Sequence, residues 1–307
     1  MDQSALQETR DLIRRHKRLD LLFAAVGLMC LGIAAITFSA LVIDMAIDGA
    51  PRLSPDFFTN FPSRRPAQAG ILSAWVGSTL VMIVTAASAI PVGVAAAVYL
   101  EEYAPKNLLT AIIEINITNL AGVPSIVYGL LALGLFVYGL GFGQSILSAG
   151  LTLGLLILPV VIVATREAIR SIPSAIREAA YAVGATKWGT TWDHVLPYSV
   201  PGIMTGVVIG MARAIGETAP IITIGALTFI AFLPPAPVQG EFPFLSFEWL
   251  TAPFTVMPIQ MFNWTSRPEA AFHQNAAAAG LVLLLMTLSM NALAIYIRYR
   301  LRKRIKW

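Results

Sequence analysis

The sequence predicts an all-α integral membrane protein with six membrane-spanning helices, and three observations carry that reading. Hydrophobic residues fill 57% of the 307 positions and charged residues only 12%, against roughly 25% charged in soluble domains. The mean hydropathy of the whole chain is +0.73, too high for a soluble globule with one core. Six apolar runs, at 20–43, 71–99, 109–139, 145–165, 199–231 and 275–297, each reach the ~20 residues that a helix needs to cross a bilayer.

The elements follow in order. Residues 1–19 form a polar tail ending in "RRHKR". The run at 20–43 outlasts the roughly 7–15 residues of a signal-peptide core and has no small-residue cleavage site, so it reads as a retained first span. Residues 44–70 make a loop on the far side. Residues 71–297 form the core unit, with a long loop at 166–198 on the near side and another at 232–274 on the far side. Residues 298–307 are a basic tail. Gly and Pro are frequent inside the spans (Pro91, Pro124, Pro159, Pro201, Pro220), which membrane helices tolerate where neighbouring groups re-satisfy the freed backbone.

Orientation comes from Lys and Arg. With the N-terminus in the cytoplasm, that side holds Arg10, Arg14, Arg15, Lys17, Arg18, Lys106, Arg166, Arg170, Arg177, Lys187, Arg298, Arg300, Arg302, Lys303, Arg304 and Lys306. The other side holds Arg52, Arg64, Arg65 and Arg267. An excess of positive charge marks the cytoplasmic loops, so both termini are expected inside. The net charge of +4 and the pI of 9.3 are thus topology signals, and the tail "RYRLRKRIKW" reads as an anchor, with no nucleic-acid role expected.

Arg213 is left over, near the middle of the fifth run. A central arginine costs about 2.5–3.5 kcal/mol on insertion scales, so it should face protein or water. Gly202, Gly206, Gly210, Arg213 and Glu217 recur at helical spacing and share one face. The glycines suit close approach of another helix, and Pro220 should bend the helix beside the charges. Two readings stay open from the pattern: a self-neutralising structural pair, or a cation on the route of an anionic substrate. Glu114, in the third run, reads as a snorkelling or helix-end residue.

The loop between the fourth and fifth runs is too polar to span. Ile176, Ala179, Ala180 and Val183 mark one face of a short helix, with Ser174 as its expected N-cap and Gly184 as its stop. Trp188, Trp192 and Val195 mark a second short helix, with Thr186 as cap. Two amphipathic helices meeting at a glycine corner need a partner or a membrane surface for their apolar ridge.

The string "EAAYAVGATKWGTTWDHVLP" (178–197) resembles the EAA signature of ABC-importer permeases, with Glu178, Ala179, Ala180, Gly184, Leu196 and Pro197 at the family's spacing. His194 departs, standing where Ile or Val is usual. "RAIGETAP" (213–220), "NLAGVPSIVYGL" (119–130), "PSRRPAQAGILSA" (62–74) and "MPIQMFNW" (257–264) are similar to the PstA-type permeases of phosphate importers, from about residue 55 to the end. That resemblance implies a type I importer permease fold with a MetI-like transmembrane domain in a bacterial plasma (inner) membrane. It implies four kinds of partner: a PstC-type permease, a PstB-type ATPase dimer, a PstS-type periplasmic phosphate-binding protein and inorganic phosphate. It places Arg213, and after it Glu217, on the substrate path, and it makes the EAA loop the coupling surface for the ATPase.

The remaining residues limit the alternatives. No G-x-x-x-x-G-K-[ST] is present: "GATKWGT" has Thr190 where the lysine must reach the phosphates. The chain is therefore expected to bind no cofactor, with ATP and Mg used by the partner subunit. Cys30 is single and His16, His194 and His273 are scattered, so no metal site and no catalytic constellation are expected. The loop "LPPAPVQGEFPFLSFEWLTAPF", with Trp249 and then Trp264, suits an aromatic interface belt or contact with a binding protein. The rival functions are a permease for another oxyanion and an ion-coupled secondary anion transporter.

Overall fold

The computed structural model describes residues 3–238 and 244–302; Lys303, Arg304 and Lys306 of the basic tail lie outside them. Within those residues the chain is helical, apart from irregular connections and one isolated bridge between Val238 and Leu245.

Helix α1 (Gln3–Gly49) begins well before the expected span, so most of the tail at 1–19 is already helical. None of its most apolar window is buried. A helix apolar on every side needs lipid or another protein around it. Only its far end closes on the body, where Gly49 runs against the backbone of Ala277 and Ala278 in the last helix.

Helix α2 (Leu72–Val98) contains Pro91 and runs on into a wider, π-type turn at Tyr99–Tyr103. The third expected span is not one rod. It divides into α3 (Leu108–Leu120) and α4 (Ser125–Ala132), the latter continuing through a wide turn to Gly139, and the two arms bend by 107°. The local cause is Pro124, which lacks an N–H and drives Val123 away from helical geometry. The bend frees carbonyls at the end of α3, and the Tyr128 hydroxyl donates to that of Leu120 at 2.8 Å.

Helix α5 (Ile146–Arg170) starts on a Ser145 cap and holds Pro159. Helix α6 (Ser174–Ala182) follows, and Pro173 takes its N-cap position without a side-chain bond, which corrects the expected Ser174 cap: that serine is the first helical residue. Gly184 stops α6 with φ +88°. Thr186 does cap the next helix, accepting from the Gly189 amide at 3.1 Å. This second amphipathic segment is no separate helix. From Lys187 it continues through a π-type turn at Thr190–Val195 into α7 (Leu196–Gly216), an unbroken 30 residues.

The fifth span also ends early. Glu217 is extended, a short α8 (Ala219–Ile224) follows, and Gly225 at φ +98° closes it, so the expected run to 231 is helical only to Ile224. The break precedes Pro220, which sits in the first turn of α8, where its missing N–H costs nothing. The chain then wanders to α9 (Met257–Thr265) and α10 (Ala270–Arg302). Among the described residues, five helices are long and apolar enough to cross a membrane, and the bent pair makes a sixth if counted as one span.

The main core lies where α2, α5 and α7 pack together. Trp249 joins it, while Trp264 is buried with Phe57 in a second cluster under α10. Both correct the interface-belt expectation. The irregular loop folds back and uses its tryptophans as core.

Candidate functional site

The glycine face of α7 is its packing face toward α5. Gly202 passes Ala168 and Gly206 passes Ala164, so near that a methyl on either glycine would collide; Gly210 lies over Ile157. At the end of this face the helix stops, and the charges sit at the stop. Arg213 is in the last turn of α7, where the helix dipole favours a cation. Its Nε donates to Glu217 Oε1 at 3.3 Å, with side-chain exposures of 38% and 20%. The two terminal nitrogens of the guanidinium make no hydrogen bond among the described residues. A planar fork with free donors is the geometry that a carboxylate or phosphate fits bidentately.

The two broken spans meet beside this pair. Gly129 on α4 lies against Pro220 and Thr223 on α8, with 2.7 Å from an added Cβ to Pro220 Cα. Tyr128, its neighbour, is within electrostatic reach of Arg213. The strings "NLAGVPSIVYGL" and "RAIGETAP" are therefore a bend and a break packed on one another, a contact that periodicity could not reveal. Glu217 also lines a small pocket with Ser78, Met82 and Leu153.

A second charged cluster lies at the other end of α5. Arg166, whose side chain is only 8% exposed, pairs with Glu101 at 3.4 Å and with Glu114 on α3. Arg170 reaches both Glu101 oxygens at 3.0 Å and Glu167 at 3.2 Å. Glu114 is thus an interhelical partner and not a free snorkelling acid. A cleft of about 420 Å³ opens between α3 and α5 here, lined by Glu114, Thr118, Asn119, Arg166, Glu167 and Arg170.

The loop residues split between two faces. Ala180 and Val195 are buried, whereas Glu178, Ala179 and Pro197 are exposed and Leu196 is half-buried. Val183 is 85% exposed. The rings of Trp188 and Trp192 stack at 5.6 Å, and both stand exposed. The expected ridge is therefore divided, with Ile176 and Ala180 turned inward and Ala179 and Val183 outward. Among the described residues, no group of three His, Cys, Asp or Glu side chains could hold a metal ion.

A family model described as "Binding-protein-dependent transport system inner membrane component" matches residues 89–307. The chain belongs to this family of transport permeases. The phosphate transport system permease protein PstA of Yersinia pestis is 32% identical over 293 residues, covering 92% of this chain and 90% of that protein. The probable ABC transporter permease protein YqgI of Bacillus subtilis (strain 168) is 30% identical over 269 residues, with coverage of 86% and 90%. The PstA of Mycobacterium leprae (strain TN) is 33% identical over 235 residues, with coverage of 76% and 72%. The family match starts at Ala89, inside α2, and so takes in both charged ends of α7's surroundings and the whole EAA loop, while α1 precedes it. This is a multi-pass membrane permease subunit.

Sequence reasoning missed Glu101, Glu102 and Tyr103, at the C-terminal end of α2. The signal was present: two adjacent acids and Tyr103 close an otherwise apolar run before Ala104 and Pro105.

Proposed function

We propose that this chain is one permease subunit of an ATP-driven phosphate importer in a bacterial inner membrane, with six spans and both termini in the cytoplasm. Its path would form at a seam with a PstC-type permease, and a PstS-type binding protein would deliver phosphate from the periplasm. A PstB-type ATPase dimer would dock on residues 174–197 and use ATP and Mg; this chain would hold no nucleotide itself.

One observation supports this most. The helix from Lys187 to Gly216 is continuous, and at about 1.5 Å per residue it spans roughly 45 Å. It carries the exposed Trp188–Trp192 pair at one end and Arg213 at the other. A push on the cytoplasmic end would therefore reach the arginine along one helix, through the π-type turn at Thr190–Val195. Arg213 would offer its free nitrogens to phosphate oxygens, and Glu217 would hold the empty site near neutrality. A secondary transporter has no use for exposed stacked tryptophans on the cytoplasmic side.

The test is copurification in mild detergent with a PstB-type ATPase, compared with Gly184→Val. At φ +88° an L residue costs about 1–2 kcal/mol, more when β-branched, and space at the site gives no relief. The variant is expected to insert normally, bind the ATPase several-fold more weakly and lose most phosphate uptake. Wild-type ATPase binding and uptake in Gly184→Val would overturn the docking assignment.

A further inference from the structure

Three consecutive residues at the end of α2 each hold a different cytoplasmic segment. Glu101 binds Arg166 and Arg170 of α5. Glu102, with a side chain only 7% exposed, accepts from Arg177 of α6 through Nε at 3.1 Å and Nη2 at 2.8 Å. Tyr103 presents its ring to Lys187 Nζ at 5.1 Å, at the start of the long helix that becomes α7. Arg177 is shared further: Nη1 donates to Ile172 O at 2.8 Å and Nη2 to Ile169 O at 3.1 Å. The Ile169 carbonyl, in the last turn of α5, also accepts from the Ile172 amide at 3.2 Å.

We propose that the Glu101–Tyr103 turn is a transmission joint: it delivers movement of the 174–195 segment to α2 as well as to α7, with Glu102–Arg177 as its positioning pair. The inference rests on the coupling role given above to that segment. Arg177 directly precedes the Glu178 of the docking surface, so one residue separates a side chain facing outward from one locked inward. The turn is π-type, a local widening that recurs at functional positions in helices. Its charges argue against the rival role of an anion station. The cleft is lined by Glu114 and Glu167 against Arg166 and Arg170, a balanced set, and both arginines already face carboxylates, so neither is a free cation for phosphate. A cluster whose charges satisfy one another while tying α2, α3 and α5 together is a clamp.

The experiment uses the complete reconstituted importer in liposomes, with the partner permease, ATPase and binding protein. Three quantities are read for wild type, Glu102→Gln, Glu102→Arg, Arg177→Glu and the swapped double variant: ATPase copurification, ATP hydrolysis, and phosphate moved per ATP hydrolysed. Removing one partner of a buried pair strands the other charge, so Glu102→Arg is expected to keep its ATPase while phosphate moved per ATP falls by about tenfold. Glu102→Gln, which keeps an acceptor, should lose about threefold, and the swap should recover at least about half of the wild-type ratio. An unchanged ratio in assembled Glu102→Gln and Glu102→Arg overturns the proposal. So does a swap that recovers nothing while its ATPase stays bound. Should Glu102→Arg fail to assemble, Glu102→Gln and the swap decide. Failure of the underlying coupling reading looks different: the wild-type chain itself then retains no ATPase.

Discussion

Two of the glycine contacts between helices in this molecule involve the fifth span, and only one of them carries charge. Along the α5–α7 seam, Gly202 and Gly206 meet Ala168 and Ala164 between two continuous helices. Both helices run through the contact without a break, and the seam is built of small residues packed against one another. At the α4–α8 junction, Gly129 meets Pro220 and Thr223 between two spans that have both broken. There Tyr128 reaches Leu120, and Arg213 and Glu217 gather at the freed end of α7. On the proposed function, the difference makes the seam scaffold and the junction the site. Broken helices bring unpaired dipoles and polar side chains to membrane depth, which unbroken ones hide.

The largest expected effect breaks the junction chemically. Arg213→Gln removes charge-assisted hydrogen bonds worth about 1.5–3 kcal/mol each; losing two should lower phosphate uptake by at least about a hundredfold. The subunit should still copurify with its partners. Arg213→Lys keeps the charge and loses the fork, so partial uptake is expected. Equal loss of subunit association and of uptake in Arg213→Gln would make the arginine structural.

The next prediction sets the two glycine contacts against each other. Gly206→Val places branched carbon onto Ala164, and overpacking of this kind costs about 1–3 kcal/mol or more; membrane yield and subunit association should fall together. Gly129→Ala pushes on Pro220 and Thr223 at a joint. It should leave yield within about twofold of wild type while uptake falls further, because joints between helix ends absorb strain that continuous helices transmit. Thermal stability in detergent beside uptake separates them. Equal profiles for the two variants would erase the distinction between scaffold and site.

How much of this was legible in the sequence follows the same division. The spacing of Gly202, Gly206 and Gly210 announced a packing face because a continuous helix repeats, and the structure lays that face on α5. The long runs announced spans for the same reason. What failed were the breaks. Hydropathy cannot distinguish "NLAGVPSIVYGL" as a rod from the 107° bend it makes, since both arms are apolar enough to merge into one run. The Trp188–Trp192 segment read as a separate helix because its polarity differs from that of α7, yet backbone bonding continues across the change. Trp249 and Trp264 read as surface because loop composition says nothing of where a loop folds. The pairing of Glu114 with Arg166 and of Glu102 with Arg177 joins residues distant in sequence, and no local pattern encodes it.

The smallest expected effect tests whether the pair at the junction is one unit or two roles. Glu217→Gln keeps the size and the acceptor oxygen facing Arg213 Nε, at 3.3 Å in the native chain, and removes the negative charge. The empty site then gains a unit of positive charge, so an arriving anion is attracted more strongly and released more slowly. Uptake at saturating phosphate should fall about two- to fivefold, with a lower half-saturating concentration, and association should be unaffected; both come from initial-rate uptake curves in vesicles, with changes of this size corresponding to about 0.4–1 kcal/mol. The double variant Arg213→Gln with Glu217→Gln decides what the pair is. A purely structural pair tolerates joint neutralisation, because no charge is left stranded, and uptake returns. If Arg213 supplies the donors that phosphate uses, the double variant stays as inactive as Arg213→Gln alone. Recovery in the double variant would take the arginine off the path and leave the α4–α8 junction as a second packing seam.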